Sequence, residues 1–210
     1  MTTEQVSQGA LREEGRREGA LGAQPALTDP LDRAMDRYAE GDDAGFDELV
    51  RGLRPRLHAF LLRLSGSREL ADDMTQETFL RIHRARGSFA RGSAVLPWAF
   101  AIGRNCFISH ARARKTRFSR GALDVATLDV AAGPDANAEA TLAAQQSALI
   151  VSQALAAMPV ANREAFVLIR YEGMSVATAA QLVGISEGAL KLRAFRAYEI
   201  LRAALKEPAS

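Results

Sequence analysis

Residues 175–205 read SVATAAQLVGISEGALKLRAFRAYEILRAAL, and this stretch decides the fold class. Ser175 and Ser186 stand where helices are capped, and Gly184 between them suits a left-handed turn residue. Neither serine has Glu or Gln three residues on, so neither makes a full capping box. Small Ala180, four residues before Gly184, permits two helices to cross closely, with Ile185 and Leu190 filling the space between them. The pattern predicts a helix-turn-helix. At the helical period, Leu190, Ala194, Ala197, Tyr198, Leu201 and Leu205 of the second helix form one narrow apolar stripe. Ala189, Leu192, Arg193 and Arg196 fall on the far side, where the two Arg are available to guanine edges or phosphates of a major groove. Leu192 on that side suits a thymine methyl or a protein contact. On these residues alone, a plain helical hairpin with solvated Arg stays open.

Helical periodicity extends upstream over 141–157 and 160–172, and the hairpin itself divides into 175–183 and 187–205. Residues 118–140 lose periodicity and carry Gly, Pro, Asp and Asn, which predicts a flexible linker. Segment 31–64 carries three apolar stripes: Ala34, Met35 and Tyr38; Phe46, Leu49, Val50 and Leu53; Leu57, Phe60, Leu61 and Leu64. Gly41-Asp42-Asp43 breaks the first, Pro55 bends or restarts the second, and Ser65-Gly66-Ser67 closes the third. Residues 69–86 form the next helix, 87–95 a loop, and 97–116 a helix whose first turn suits Pro97. Residues 1–29, rich in Gly, Glu, Arg and Gln, are expected to form a disordered tail. No strand pattern or fixed-period repeat stands out. The expected fold is all-α: a helical domain over 30–117, a linker over 118–140, and a smaller helix-turn-helix domain over 141–206.

Composition narrows the function classes. The chain has 210 residues, 48% hydrophobic and 25% charged, enough for a real core. A single Cys excludes a disulfide framework and a Cys-rich zinc site. No run of 18 apolar residues exists, so no membrane insertion is expected, and the N-terminus lacks the apolar stretch of a secretory signal. The expectation is a cytoplasmic protein of a reducing compartment. His58, His83 and His110 share no metal-ligand spacing, and no H-E-x-x-H, G-x-S-x-G or phosphate-binding loop occurs. Cys106 reads as a small core thiol. Neither a catalytic set, a metal nor a cofactor is expected.

Charge is sorted along the chain. Residues 40–80 hold nine acids against five Arg, whereas 81–120 hold ten bases and no acid. Residues 184–206 hold five bases against Glu187 and Glu199. An acidic block beside a basic one fits a chain that docks on a protein and on a polyanion. Helix 69–86 has two apolar-bearing faces; the second carries Asp72, Asp73, Gln76, Phe79, Leu80 and His83. Two readings compete for it: burial on both sides, or a mixed docking face for a partner. Segment 87–118 holds five of the chain's ten Phe and Trp (Phe89, Trp98, Phe100, Phe107 and Phe118). They are interleaved with Arg91, Arg104, Arg112, Arg114 and Lys115, a mixture that suits unstacked single-stranded bases.

Three spaced stretches together resemble an extracytoplasmic-function (ECF) sigma factor of the sigma-70 family. AGFDELVRGLRPRLHAFLLRL (44–64) followed by ELADDMTQETFLRIHRAR (69–86) resembles the family's core-polymerase-binding helices. PWAFAIGRNCFISHARAR (97–114) is similar to its Trp-x-x-x-Ile-x-Arg-Asn promoter-melting helix. ALAAMPVANREAFVLIRYEGMSVATAAQLVGISEGALKLRAFRAYEILRAAL (154–205) looks like its C-terminal promoter-binding domain. The resemblance implies that Asp72, Asp73, Gln76, Phe79, Leu80 and His83 dock on bacterial RNA polymerase core. It implies that loop 87–95 captures a flipped base of the −10 element, with Phe89, Arg91, Trp98, Arg104, Asn105, Arg112, Arg114 and Lys115 on single-stranded −10 DNA. Ser186, Ala189, Lys191, Leu192, Arg193 and Arg196 would enter the −35 duplex. Acidic Asp124, Asp129, Asp135 and Glu139 would run through the polymerase as a nucleic-acid mimic. An anti-sigma factor is the further partner implied, and packing of the two domains together would be the inhibited form. The chain departs from the family pattern at Val176-Ala177-Thr178, where an aromatic and two acids are common. It departs again at Leu192 and Phe195, where Ser and His are frequent. The alternative is a stand-alone helix-turn-helix regulator, which explains 175–205 but leaves the aromatic–basic segment and the Asp/Phe face without a role.

Overall fold

The computed structural model describes residues 29–119 and 142–206. The expected tail (apart from Asp29) and nearly all of the expected linker lie outside the described residues. Asp29 caps the first helix, α1 (Pro30–Ala39), its carboxylate accepting from the Leu31 amide at 2.9 Å. Pro30 sits at the first helical position, where no amide hydrogen is needed. A turn at Gly41 leads into α2 (Ala44–Ser65). Gly45 lets these helices touch: a Cβ there would lie 2.5 Å from the Ala34 carbonyl oxygen.

Pro55 was expected to bend or restart this segment, yet α2 runs through it as one helix. A proline inside a helix costs about 3 kcal/mol. Leu49, Leu53, Leu57, Phe60 and Leu61 are fully buried along the same helix, which outweighs that cost, and Pro55 itself faces solvent. Ser67 caps α3 (Arg68–Ala85), accepting from the Leu70 amide at 3.3 Å. A short 3₁₀ turn (Arg86–Ser88) and a loop lead to α4 (Val95–Ser119). Cys106 is buried in α4, and burial pushes its thiol pKa up, as befits a core thiol.

The second set comprises α5 (Leu142–Ala157), α6 (Val160–Phe166), α7 (Val176–Val183) and α8 (Glu187–Lys206). The stretch 160–172, expected as one helix, leaves α geometry after Phe166 and widens into a π turn over Val167–Tyr171. Ser175 accepts from the Thr178 amide at 3.0 Å and Ser186 from the Ala189 amide at 3.2 Å. Gly184 takes the left-handed conformation between them, so α7 and α8 form the expected helix-turn-helix. Tyr198 and Leu205 correct the wheel: placed on the buried stripe, they are 58% and 50% exposed. Ala197 and Leu201 at the stripe's centre carry the packing, and these two sit at its rim.

The two sets share one apolar core. Ala165, Val167, Leu168, Ala179, Ala180, Val183 and Leu190 join the same cluster as Leu53, Phe60, Met74 and Phe100. Helix α2 packs against α5 and α6, and α4 packs against α7. Helix α8 packs on α5, α6 and α7, with its own small cluster at Leu155, Met158, Ala197 and Leu201.

Candidate functional site

Three surfaces carry the residues singled out in the sequence. The first is the outer face of α3. Ala71, Met74, Thr75, Thr78 and Ile82 turn inward, and Thr75 and Thr78 satisfy their hydroxyls on the Ala71 and Met74 carbonyls. That leaves Asp72, Asp73, Gln76, Leu80 and His83 exposed, with Phe79 half-buried. These residues line a cavity of about 790 Å³ with Phe46, Val50, Arg54 and Thr75. The second apolar-bearing face of this helix is therefore open at Leu80, while Phe79 packs partly against the core. Phe46 stands edge-on to Phe79 at 6.2 Å and stacks on Tyr38 at 5.0 Å, so the cavity floor is aromatic and fixed. Tyr38 Oη lies 2.5 Å from His83 Nδ1, and the Arg86 guanidinium lies over the Tyr38 ring. Asp72 lies 3.1 Å from His58 Nε2, which leaves Asp73 as the carboxylate at the centre of the face. A carboxylate and an exposed Leu around a half-open Phe suit a helical partner with a basic and an apolar side.

The second surface is the loop before α4 and the exposed side of that helix. Phe89, expected to face DNA, is only 7% exposed and packs edge-on against half-buried Trp98 at 5.0 Å. Its ring is held by the core and supports the loop from beneath. Arg91 is exposed and pairs with Glu40 at 2.8 Å. Asn105, Arg112 and Arg114 are exposed on α4, while the Lys115 side chain lies outside the described residues. Arg104 is not free. Its Nε donates to Glu164 Oε1 at 2.6 Å and its Nη2 reaches Glu164 Oε2 at 3.4 Å.

The third surface is α8. Lys191, Leu192, Phe195 and Arg196 are exposed, Arg193 and Ala189 are half-buried, and Ser186 caps the helix. Leu192 and Phe195 are 49% and 62% exposed, large for unpartnered apolar groups. Lys191 lies 3.9 Å from Glu187, a loose surface pair that leaves its ammonium available.

Sequence reading missed the residues that join the two helical sets. Arg163 is 6% exposed and its guanidinium donates to the Leu64 carbonyl at 2.8 Å and the Ala156 carbonyl at 2.6 Å, with Arg63 and Met158 carbonyls also in reach. It thus closes the orphan C-terminal carbonyls of both α2 and α5, where a cation is favoured. Burial pushes its pKa down, but a guanidinium stays charged. Glu172, just after the π turn, pairs with Arg56 at 3.3 Å, and its neighbour Tyr171 lies beneath Arg63 at 4.0 Å. No spacing rule links positions 60 to 116 residues apart. One missed set was legible: Asp32 and Asp36 on α1 and Glu40 at its C-cap form an acid row, and all three face the loop before α4.

Comparison with known proteins places the two sets. Residues 49–117 match the family model for sigma-70 region 2, and residues 148–201 match that for sigma-70, region 4. The RNA polymerase sigma factor CarQ of Myxococcus xanthus is 32% identical over 173 residues, which is 82% of this chain and 96% of CarQ. The ECF RNA polymerase sigma factor SigM of Mycobacterium tuberculosis is 32% identical over 160 residues, 76% of each chain. Among solved structures, the sigma factor RpoE of Bartonella quintana, in complex with the anti-sigma factor NepR, is similar with a TM-score of 0.65 and 28% identity. That match covers 78% of this chain and 98% of RpoE.

Proposed function

This chain belongs to the ECF sigma factors of the sigma-70 family, and from that premise we propose which of its residues carry each part of initiation. As an RNA polymerase sigma factor it binds core polymerase, recognises −10 and −35 promoter elements and promotes opening of the duplex. Family membership disfavours the stand-alone regulator. It acts by binding, with no chemistry of its own, in the cytoplasm where polymerase works. Among the described residues no helix is long and apolar enough to cross a membrane.

The unit 30–117 carries core binding and −10 reading, the unit 141–206 carries −35 reading, and 118–140 joins them. Asp73, Gln76, Phe79 and Leu80 are the centre of the polymerase contact, with Asp72 and His83 at its edge. Loop 87–95 and the α4 residues Trp98, Arg104, Asn105, Arg112, Arg114 and Lys115 take the single strand. Phe89 acts from below as support for Trp98. Lys191, Leu192, Arg193 and Arg196, with Ser186 and Ala189 at the helix start, enter the −35 groove. The observation that carries this reading is the open cavity lined by Asp73 and Phe79, both inside the part of the chain that matches region 2.

The arrangement in hand is a closed one. The Glu164 carboxylate occupies the guanidinium that would hold a −10 phosphate, while the α8 surface stays open. We read Glu164 as a phosphate mimic that must leave before α4 engages DNA. An anti-sigma factor that favours this packing is the regulatory partner proposed, in line with the complexed state of the similar RpoE. Reconstitution with purified bacterial core polymerase on a promoter library tests the assignment. Run-off transcripts that depend on this chain, and are lost with Asp73→Arg, are expected. Undiminished transcription with Asp73→Arg overturns the docking assignment.

A further inference from the structure

Helix α1 carries two carboxylates one turn apart, Asp32 and Asp36, and its C-cap residue Glu40 continues the row. Like charges at this spacing oppose each other in a helix. Their neighbours and burial both raise the Asp32 pKa, burial most. Such a row persists in a folded chain when cationic or amide partners offset the repulsion.

The partners all lie in one place. Asp32 Oδ1 accepts from the Val95 amide at 2.7 Å in a buried contact. Val95 is the first residue of α4, so a side chain from another helix caps the promoter-facing helix and complements its dipole. One turn on, Asp36 Oδ1 accepts from the Gly92 amide at 3.2 Å. Gly92 has φ +74°, a conformation that L side chains avoid and that aims its amide at α1. One turn further, Glu40 holds Arg91 at 2.8 Å. Two successive turns of α1 and its C-cap residue thus grip three points of the loop 91–95. Residues 93 and 90 add a turn bond of 3.1 Å between the Ser93 amide and the Ala90 carbonyl.

We propose that Asp32, Asp36 and Glu40 are positioning residues for promoter reading: they set the loop in its base-capturing shape before DNA arrives. The inference rests on the reading that this loop takes a −10 base. None of the three carboxylates touches DNA. Their role is to spare the loop the ordering cost that capture would otherwise bear. Because they sit on α1 and its C-cap, they tie the −10 reader to the α1–α2 pair, whose Phe46 lines the polymerase-docking cavity and stacks on Tyr38.

The test uses the full chain assembled with core polymerase. The probes are a single-stranded DNA pool with a randomised window and a duplex pool for the −35 helix, both read by sequencing. In the unaltered chain one window position shows a preferred base. With Asp36→Ala, enrichment of that base falls about five-fold or more, while duplex-pool selection and melting temperature stay close to the parent's. Asp36→Asn, which keeps an acceptor for the Gly92 amide, restores the preference. Glu40→Gln, at an exposed pair, gives a smaller loss in the same readout and covers the case in which Asp36→Ala fails to fold. Amide exchange should rise over 89–95 and not in α2. Arg91→Ala and Ser93→Ala report on the loop itself. If they leave base preference intact, the loop reading fails. If they flatten it while Asp36→Ala and Glu40→Gln do not, the loop reads DNA and the positioning role is overturned. Equal loss on both pools is the mark of a merely structural role and overturns it too.

Discussion

Replacing Glu164 with Gln removes one charge from the joint between the two helical sets and leaves its volume almost unchanged. Glu164 and Arg104 make a forked contact of 2.6 and 3.4 Å, with side chains 6% and 18% exposed. A hydrogen bond to a charged group contributes about 1.5–3 kcal/mol net, and the amide of Gln keeps one neutral acceptor. A loss of about 2 kcal/mol follows, which moves the closed-to-open equilibrium by roughly 30-fold. If the closed form dominates in the free chain, affinity for a single-stranded DNA pool rises by up to that factor. Dyes on Glu69→Cys and Ala203→Cys read the opening as a loss of energy transfer. Both positions are exposed, and native Cys106 is buried away from the label. Arg104→Gln breaks the same contact and removes the guanidinium proposed to hold DNA, so it should open the chain without the gain in DNA binding. The double variant should open by much less than the two single effects combined, because both act on one interaction. Unchanged energy transfer and a DNA affinity within about two-fold of the parent in Glu164→Gln would refute the latch.

Three further outcomes are expected. Asp73→Arg reverses the central charge of the α3 face and abolishes core-polymerase binding in a pull-down, while circular dichroism and −35 duplex binding stay those of the parent. Arg193→Ala weakens −35 duplex binding by about 1–3 kcal/mol and relaxes base preference at one position, read by mobility shift across single-base variants; a change confined to the salt slope marks a phosphate contact instead. Burial lifts the Glu172 carboxyl above its ordinary value of 4.5, against the pull of Arg56. The folded chain therefore holds that proton more tightly than the unfolded one, and stability falls as pH rises from 4.5 through the raised value, then levels. Glu172→Gln should lose that slope, seen as a smaller difference in melting temperature between acid and neutral pH; an unchanged difference would count against the assignment.

Most of the helical inventory was legible in advance, because each helix carries a local signature. Caps at Asp29, Ser67, Ser175 and Ser186, and the left-handed Gly184, act within three residues of themselves. The α3 face was legible as an anomaly, a Phe and a Leu among carboxylates, though whether it was buried could not be read from periodicity. Two local rules misled. Pro55 broke the expected pattern without breaking the helix, since α2 is buried along five large side chains. Tyr198 and Leu205 sat within the apolar arc, but the ridge they face has no neighbour among the described helices.

Periodicity, caps and charge blocks depend on neighbours a few residues away, so the helices, the helix-turn-helix and the division into acidic and basic surfaces were already determined along the chain. The occupancy of those surfaces was not. Arg104 meets Glu164 across 60 residues and Arg163 reaches the end of α2 from 99 residues away. Whether such groups meet depends on how the two sets pack, through Ala165, Leu168 and Ala180 against the core of the first four helices. That packing energy is spread over many small apolar contacts with no sequence spacing of their own. Tertiary structure alone therefore decided that the outer face of α8 stands open while the Arg104 guanidinium is already engaged.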